Sequence, residues 1–222
     1  MKLYRFEHSC YARKAQMLLD LLGARYDVVD VPYGDRSELA TLTGGYIQVP
    51  VLVDDAGHVT VDSRAICAAL LLGEHAERLV PSPWQGPIWA YADWCDGPLE
   101  DVLFRLASPG IRRRFERAAD RALFTFIKER KFGRGCVEQW QQSTGELLSQ
   151  ARALLAPTGQ TLARRPFLFG DQPTLADAAL YGQLAMIRGA DADLPGALAS
   201  VLPEWMTRLE SKALRAEGPG IS

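Results

Sequence analysis

The residues that most constrain the fold run from Gln48 to Ile66, Gln-Val-Pro-Val-Leu-Val-Asp-Asp-Ala-Gly-His-Val-Thr-Val-Asp-Ser-Arg-Ala-Ile. Val49 to Val53 and His58 to Val61 are β-branched runs on either side of Asp54-Asp55-Ala56-Gly57, a spacing that predicts a tight hairpin. Its second strand feeds a helix from Ser63 to Leu72. Pro50 stands at the start of the first strand, where a missing N–H harms a sheet least, and an X-Pro bond there can be cis at modest cost. A cis Val49-Pro50 link would leave the Val49 N–H and C=O unpaired and outward, a docking edge for an extended peptide-like ligand. Asp62-Ser63 completes such a site: a hydroxyl and free N–H groups at a helix start suit a carboxylate, and Asp62 suits an ammonium. The α-amino acid end of a peptide carries both charges.

The flanking sequence supplies the rest of a domain. Lys2 to Phe6 reads as a strand, Tyr11 to Leu22 as a helix stopped by Gly23, and Tyr26 to Val31 as a second strand, which makes a right-handed parallel unit. A short helix around Arg36 to Leu42 then leads to Gly44-Gly45 and the hairpin. Strand, helix, strand, helix, hairpin, helix is the order of a thioredoxin-like domain, set at residues 1–80. Three prolines between Pro81 and Pro87 predict a linker over 81–87. Beyond it the chain reads as an all-helical domain over 88–222. Its helices are expected at Ile88 to Leu106, Ile111 to Lys131, Val137 to Leu155, Thr174 to Met186 and Leu198 to Leu209. The expected breaks are Ser108-Pro109-Gly110, Gly133-Arg134-Gly135, a Pro157 to Pro173 loop and Leu194-Pro195-Gly196.

Composition narrows the function. A net charge of −2 gives no global field to recruit nucleic acid or an anionic membrane. The longest apolar run, Ala65 to Leu72, is too short to span a bilayer, and no signal-like region opens the sequence, so a cytoplasmic protein is expected. Cys10, Cys67, Cys95 and Cys136 are widely spaced without a CxxC pair or a His/Cys cluster, which argues against zinc and against a disulfide scaffold. Buried thiols are expected instead.

Thr174-Leu-Ala-Asp177 forms a capping box, preceded by Arg165-Pro-Phe-Leu-Phe-Gly-Asp-Gln-Pro173. With Val49-Pro50-Val51-Leu52 and Asp62-Ser63, these segments resemble the cytosolic glutathione transferase superfamily, in which the N-terminal domain binds glutathione and the capped helix lies in the C-terminal core. Asp62 stands where that family more often has Glu. The resemblance implies glutathione as co-substrate, a homodimer and no metal. It places the glutathione thiol at the start of the first helix, where helix dipoles and one hydroxyl or thiol hold it ionised. Counted from Arg13-Lys14, the contact residue is Ser9; counted from the Met-Lys-Leu-Tyr start, it is Cys10. A Ser9 hydroxyl supports attack on an electrophile, whereas Cys10 supports mixed-disulfide exchange or reduction.

Gln48, or alternatively Arg13, would meet the glycine carboxylate of glutathione. Trp89, Trp94 and Phe104 would offer aromatic surface to a small hydrophobic electrophile. The segment 111–131 is one helical piece more than the family usually has before the capping box, an insertion or broken helix able to reshape the cleft. A non-catalytic transferase-like interaction module is the reading from another class.

Overall fold

The computed structural model describes residues 1–216. Strand β1 (Lys2–Arg5), helix α1 (Cys10–Leu22) and strand β2 (Asp27–Asp30) form the parallel opening unit, and helix α2 (Ser37–Thr43) leads into the hairpin of β3 (Val51–Val53) and β4 (Val59–Val61). The sheet order is β2-β1-β3-β4, with β1 parallel to β2 and antiparallel to β3. Asp54 holds the hairpin turn, its Oδ1 accepting from the N–H groups of Ala56 at 2.9 Å and His58 at 2.8 Å. Helix α3 (Ser63–Leu70) follows β4 directly. This is the expected order, and α1 buries one apolar face at helical spacing: Ala15, Leu18 and Leu19 are wholly enclosed.

The stretch between α3 and the helical bundle departs from expectation. A short helix α4 (Glu74–Leu79) precedes it, and the three prolines do not make an extended linker. Ser82–Trp84 is a 3₁₀ turn and helix α5 (Gln85–Trp94) begins before Pro87. Proline is tolerated in a first helical turn because the N–H it lacks has no partner there anyway. A π turn over Cys95–Leu99 then carries α5 into α6 (Glu100–Arg114). Pro98 lies inside that turn, where its missing N–H and its ring break the regular ladder.

Ser108-Pro109-Gly110 is not a break either. Helix α6 runs through it, and the Ser108 hydroxyl donates to the Phe104 carbonyl at 2.7 Å. Gly110 serves close packing: a methyl on it would lie 2.7 Å from the Ala190 carbonyl oxygen. The chain breaks instead at residues 115–117, so the expected helix from Ile111 to Lys131 is divided between the end of α6 and helix α7 (Ala118–Phe132). Arg121 fixes this break by donating to the carbonyl oxygens of Phe115 and, at 3.0 Å, Glu116. Two of the three arginines that end α6 have similar structural partners, Arg112 pairing with Glu138 and Arg114 donating to the Gly189 carbonyl at 2.5 Å.

Gly133, at φ 95°, stops α7 as expected. Helix α8 (Cys136–Gln142) and helix α9 (Thr144–Leu162) follow, and α9 passes through Pro157 into the region expected to be loop. Helix α10 (Leu175–Ala190) is the most enclosed element, and α1 packs along it. Leu194-Pro195-Gly196 also turns helical, as α11 (Leu194–Leu198), so the last helix starts later, as α12 (Leu202–Ala216). At the head of α10 the capping box is present. Asp177, wholly buried, accepts from the N–H groups of Leu168 at 3.0 Å and Thr174 at 2.9 Å and from the Thr174 hydroxyl at 2.9 Å. No helix among the described residues is long and apolar enough to cross a membrane.

Candidate active site

A cleft of about 370 Å³ opens between the sheet domain and the helical bundle. Its floor comes from the head of α1. Ser9 is the N-cap there, in extended conformation, with its Oγ accepting from the Ala12 N–H at 3.3 Å. The next amides of the first turn have no intrahelical partner, as at every helix start, and they bring partial positive charge to this end. Cys10 also borders the cleft but is only 4% exposed, and burial pushes its thiol well above its ordinary range. Tyr11 donates to the Asp96 carbonyl at 3.3 Å, which ties its ring to the π turn.

One wall is the loop before β3. Gln48 and Val49 line it, the Val49-Pro50 bond is cis, and Val49 lies outside the ladder that pairs Tyr4 with Val51. Asp62 and Ser63 follow β4 at the same open end of the hairpin, since Val51 pairs with Val61. The cap of α3 is Asp62 rather than Ser63: its Oδ1 accepts from the N–H groups of Arg64 at 2.8 Å and Ala65 at 3.2 Å. Asp62 has φ 73°, the one non-glycine residue of positive φ among the described residues. Such a backbone costs on the order of 1–3 kcal/mol and is held where surrounding structure over-determines it, often at a functional site. Ser63 is buried, at 4% exposure.

The opposite wall belongs to the helical bundle. Glu100, Phe104 and Ile111 of α6, Phe124, Ile127, Lys128 and Lys131 of α7, and Met186 of α10 face the cleft. Between the two walls stands an aromatic cluster. The His8 ring lies 5.7 Å from Phe6, 5.6 Å from Tyr33 and 5.4 Å from Phe115. Burial among these rings, with Lys128 and Arg36 adding positive charge, lowers its pKa to about 4, so His8 is neutral at pH 7. Arg36 stacks over Phe6 and Tyr33 at 4.8 and 5.0 Å and donates to the carbonyl of Ile47 at 3.2 Å.

Beneath the floor, Lys14 of α1 is buried at 3% exposure and ion-paired to Asp96 of the π turn. Burial works against its charge, but the neighbouring Cys67 and Asp96 outweigh that and raise its pKa, so the pair holds α1 to the bundle in charged form. Gly182 of α10 makes the approach possible, since a methyl there would lie 2.4 Å from the Cys10 carbonyl oxygen.

Of the residues singled out in the sequence, Ser9, Cys10, Gln48, Val49 and Phe104 border this one cleft. Six expected residues are not among those lining it: Pro50, Asp62 and Ser63 follow or flank the hairpin beside it, and Arg13, Trp89 and Trp94 face elsewhere. Arg13 lines a separate depression with Arg114 and Arg188. Trp89 lies under Arg64, 4.8 Å from its guanidinium, and Trp94 packs on Tyr91 at 5.2 Å. Their helical spacing marks packing, not a substrate wall. Arg36, Tyr33, Phe124, Lys128 and Lys131 are cleft residues not picked out beforehand. A signal existed for α7, because Phe124, Ile127, Lys128 and Lys131 recur at i, i+3, i+4 and i+7, one face of a helix.

The family model for the N-terminal domain of glutathione S-transferases matches residues 3–78, and that for their C-terminal domain matches residues 134–219. A search of curated proteins finds no match. Among solved structures, a glutathione S-transferase from Rhodospirillum rubrum F11 superposes with a TM-score of 0.71 at 22% identity, over 100% of this chain and 93% of that one. Glutathione transferase GSTFuA3 from Phanerochaete chrysosporium gives 0.73 at 17% identity, over 95% and 96% of the two chains. Glutaredoxin 2 from Salmonella typhimurium, in complex with glutathione, gives 0.71 at 16%, over 96% and 94%. At such identities these structures share the fold. Because the two family models together take in well over half of the sequence, from the sheet domain to the capped helix, the chain belongs to the glutathione S-transferase family.

Proposed function

We propose that the protein is a glutathione-dependent transferase which ionises the thiol of bound glutathione at the head of α1 and directs it at a small electrophile held against the helical wall. The observation that carries this reading is that Ser9, the helix start, and Gln48 and Val49 of the pre-β3 loop border one cleft. An extended tripeptide along Val49 would have its main-chain atoms met by a backbone that the sheet leaves unpaired. Its ammonium would meet Asp62, whose two cap bonds both fall on Oδ1, and its far carboxylate would meet Gln48 and Arg36. Arg36 takes the part that the sequence had offered to Arg13.

With the thiol over the head of α1, the Ser9 hydroxyl and the first-turn dipoles favour the thiolate. The sulfur then adds to the electrophilic carbon while a leaving group departs or a proton is taken up. Mixed-disulfide chemistry at Cys10 is the weaker alternative, because a thiol this enclosed, with its pKa driven upward by burial, holds little of the thiolate that attacks a disulfide. Homodimerisation and a cytoplasmic setting belong to the same proposal.

Retention on immobilised glutathione, together with thioether formation from glutathione and an activated aryl halide, tests this reading. Binding without turnover would favour the non-catalytic module. Binding with disulfide reduction alone, abolished by Cys10→Ala, would favour thiol exchange.

A further inference from the structure

The helical wall is more than an apolar surface. Lys128 reaches the cleft between two aromatic faces, its ammonium 4.2 Å from the ring centre of Phe104 and 4.8 Å from that of Phe124. Lys131, one turn on, lies 5.0 Å from the ring of Phe132. Neither ammonium has an ion-pair or hydrogen-bond partner among the described residues. Rings attract a cation through their faces but do not replace an oxygen acceptor, so Lys128 holds a half-buried charge at the cleft wall.

The groups facing Lys128 come from every neighbouring element: Lys131 on its own helix, Glu100 on α6, His8 and Cys10 at the head of α1, Cys136 at the start of α8, and Arg36 across the cleft. His8 is neutral and the thiols are protonated at pH 7. Glu100 is the one acid among them, and burial raises its pKa. Three cations against one carboxylate leave this cleft with an excess of positive charge on an aromatic frame.

We propose that the second substrate is a flat conjugated molecule bearing a carboxylate, which pairs with the Lys128 ammonium while its ring lies against Phe104. The chemistry done on that substrate rests on the transferase reading above; its recognition does not. Lys128 is then a specificity-determining residue. A carboxylate replaces the missing oxygen partner by a charge-assisted hydrogen bond, and an uncharged isostere cannot do so.

The test is calorimetric titration of the full chain with two unreactive probes, 3,5-dinitrobenzoate and 3,5-dinitrobenzamide, with S-methylglutathione present to fill the glutathione side. The acid should bind at least about tenfold more tightly than the amide at pH 7, the worth of one charge-assisted bond. Lys128→Met should bring the two within about twofold. Because burial, with Lys131 adding to it and Glu100 opposing, lowers the Lys128 pKa to about 8, the preference should fade as pH rises through about 8. Lys128→Arg should keep the preference and remove that fading, since a guanidinium does not titrate there. Equal affinity of the two probes for the wild type would overturn the proposal, and so would a preference that survives in Lys128→Met. A titration with S-methylglutathione alone reports separately on the transferase reading, so the two can fail independently.

Discussion

Gly182→Ala sets two effects of opposite sign against each other at the contact that seats the site. In the interior of an exposed helix, alanine for glycine gains about 1 kcal/mol from helix propensity. At Gly182 the added methyl would lie 2.4 Å from the Cys10 carbonyl oxygen, 2.9 Å from the Lys14 nitrogen and 3.0 Å from the Lys14 Cβ. Two of these are main-chain atoms of α1, fixed by that helix's own hydrogen bonds, so no side chain can swing aside. Relief requires α1 to move off α10 as a body. Overpacking of a well-filled core costs typically about 1–3 kcal/mol, and a backbone clash belongs at or above the top of that range. The net expectation is a loss of about 2 kcal/mol, which for a chain of this size lowers Tm by about 4–8 °C. The shift also carries Ser9 away from Val49, so affinity for glutathione should fall in the folded fraction. Gly189→Ala is the control: its methyl meets nothing within 4 Å, so it should be neutral or mildly stabilising. Thermal melts followed by circular dichroism decide the matter. A Gly182→Ala protein that melts at or above the wild type would refute the close seating of α1 on α10.

Further consequences follow from the buried polar groups. His8 has a folded pKa of about 4 against an ordinary 6.5, so the unfolded chain takes up a proton that the folded chain refuses between those values. Stability from this group is therefore complete above pH 6.5 and is lost as pH falls toward 4, by up to about 3 kcal/mol. His8→Phe should flatten urea-derived stability across that window, and an unchanged slope would count against the neutral buried ring. Asp177 works in the opposite sense: burial pushes its carboxyl up to about 6, so it adds stability as pH falls through that value. Asp177→Ala strands the N–H groups of Leu168 and Thr174 and should cost about 3 kcal/mol, against about 1 kcal/mol for Thr174→Ala. Urea midpoints check both, and folded Thr174→Ala should keep wild-type turnover per molecule.

The sheet domain was readable because its signals are local. The β-branched runs around Asp54 to Gly57, the stripe of α1 with Gly23 after it, and Asp62 before α3 each specify their element without help from distant residues. The helical domain was readable in kind but not in its breaks. Pro109 and Pro157 look like stops in sequence, yet each lies inside a helix that tertiary packing maintains, and Pro195 sits in the first turn of α11, where proline is tolerated. At Gly110 what mattered was the Ala190 backbone facing it, information that no window of sequence contains. The true break, at 115–117, carries neither glycine nor proline and depends on Arg121 reaching back to two carbonyls. The same holds for the site: Ser9, Gln48 and Val49 announce themselves by position, whereas Arg36 and Lys128 become cleft residues only when the tertiary fold brings α2 and α7 to the same cleft as the head of α1. Trp89 and Trp94 showed the opposite error, being aromatic at helical spacing but turned to other neighbours.

The ultraviolet absorbance of enzyme-bound glutathione, titrated against pH for the wild type, Ser9→Ala and Cys10→Ala, tests the account most directly. The wild type should show the thiolate forming well below the pKa of free glutathione. Ser9→Ala should raise that value by about 1–2 units, the worth of a hydrogen bond to a charged acceptor, while Cys10→Ala leaves it in place. A thiolate that forms at the same pH in Ser9→Ala as in the wild type, or one that shifts only in Cys10→Ala, would contradict the assignment of this cleft.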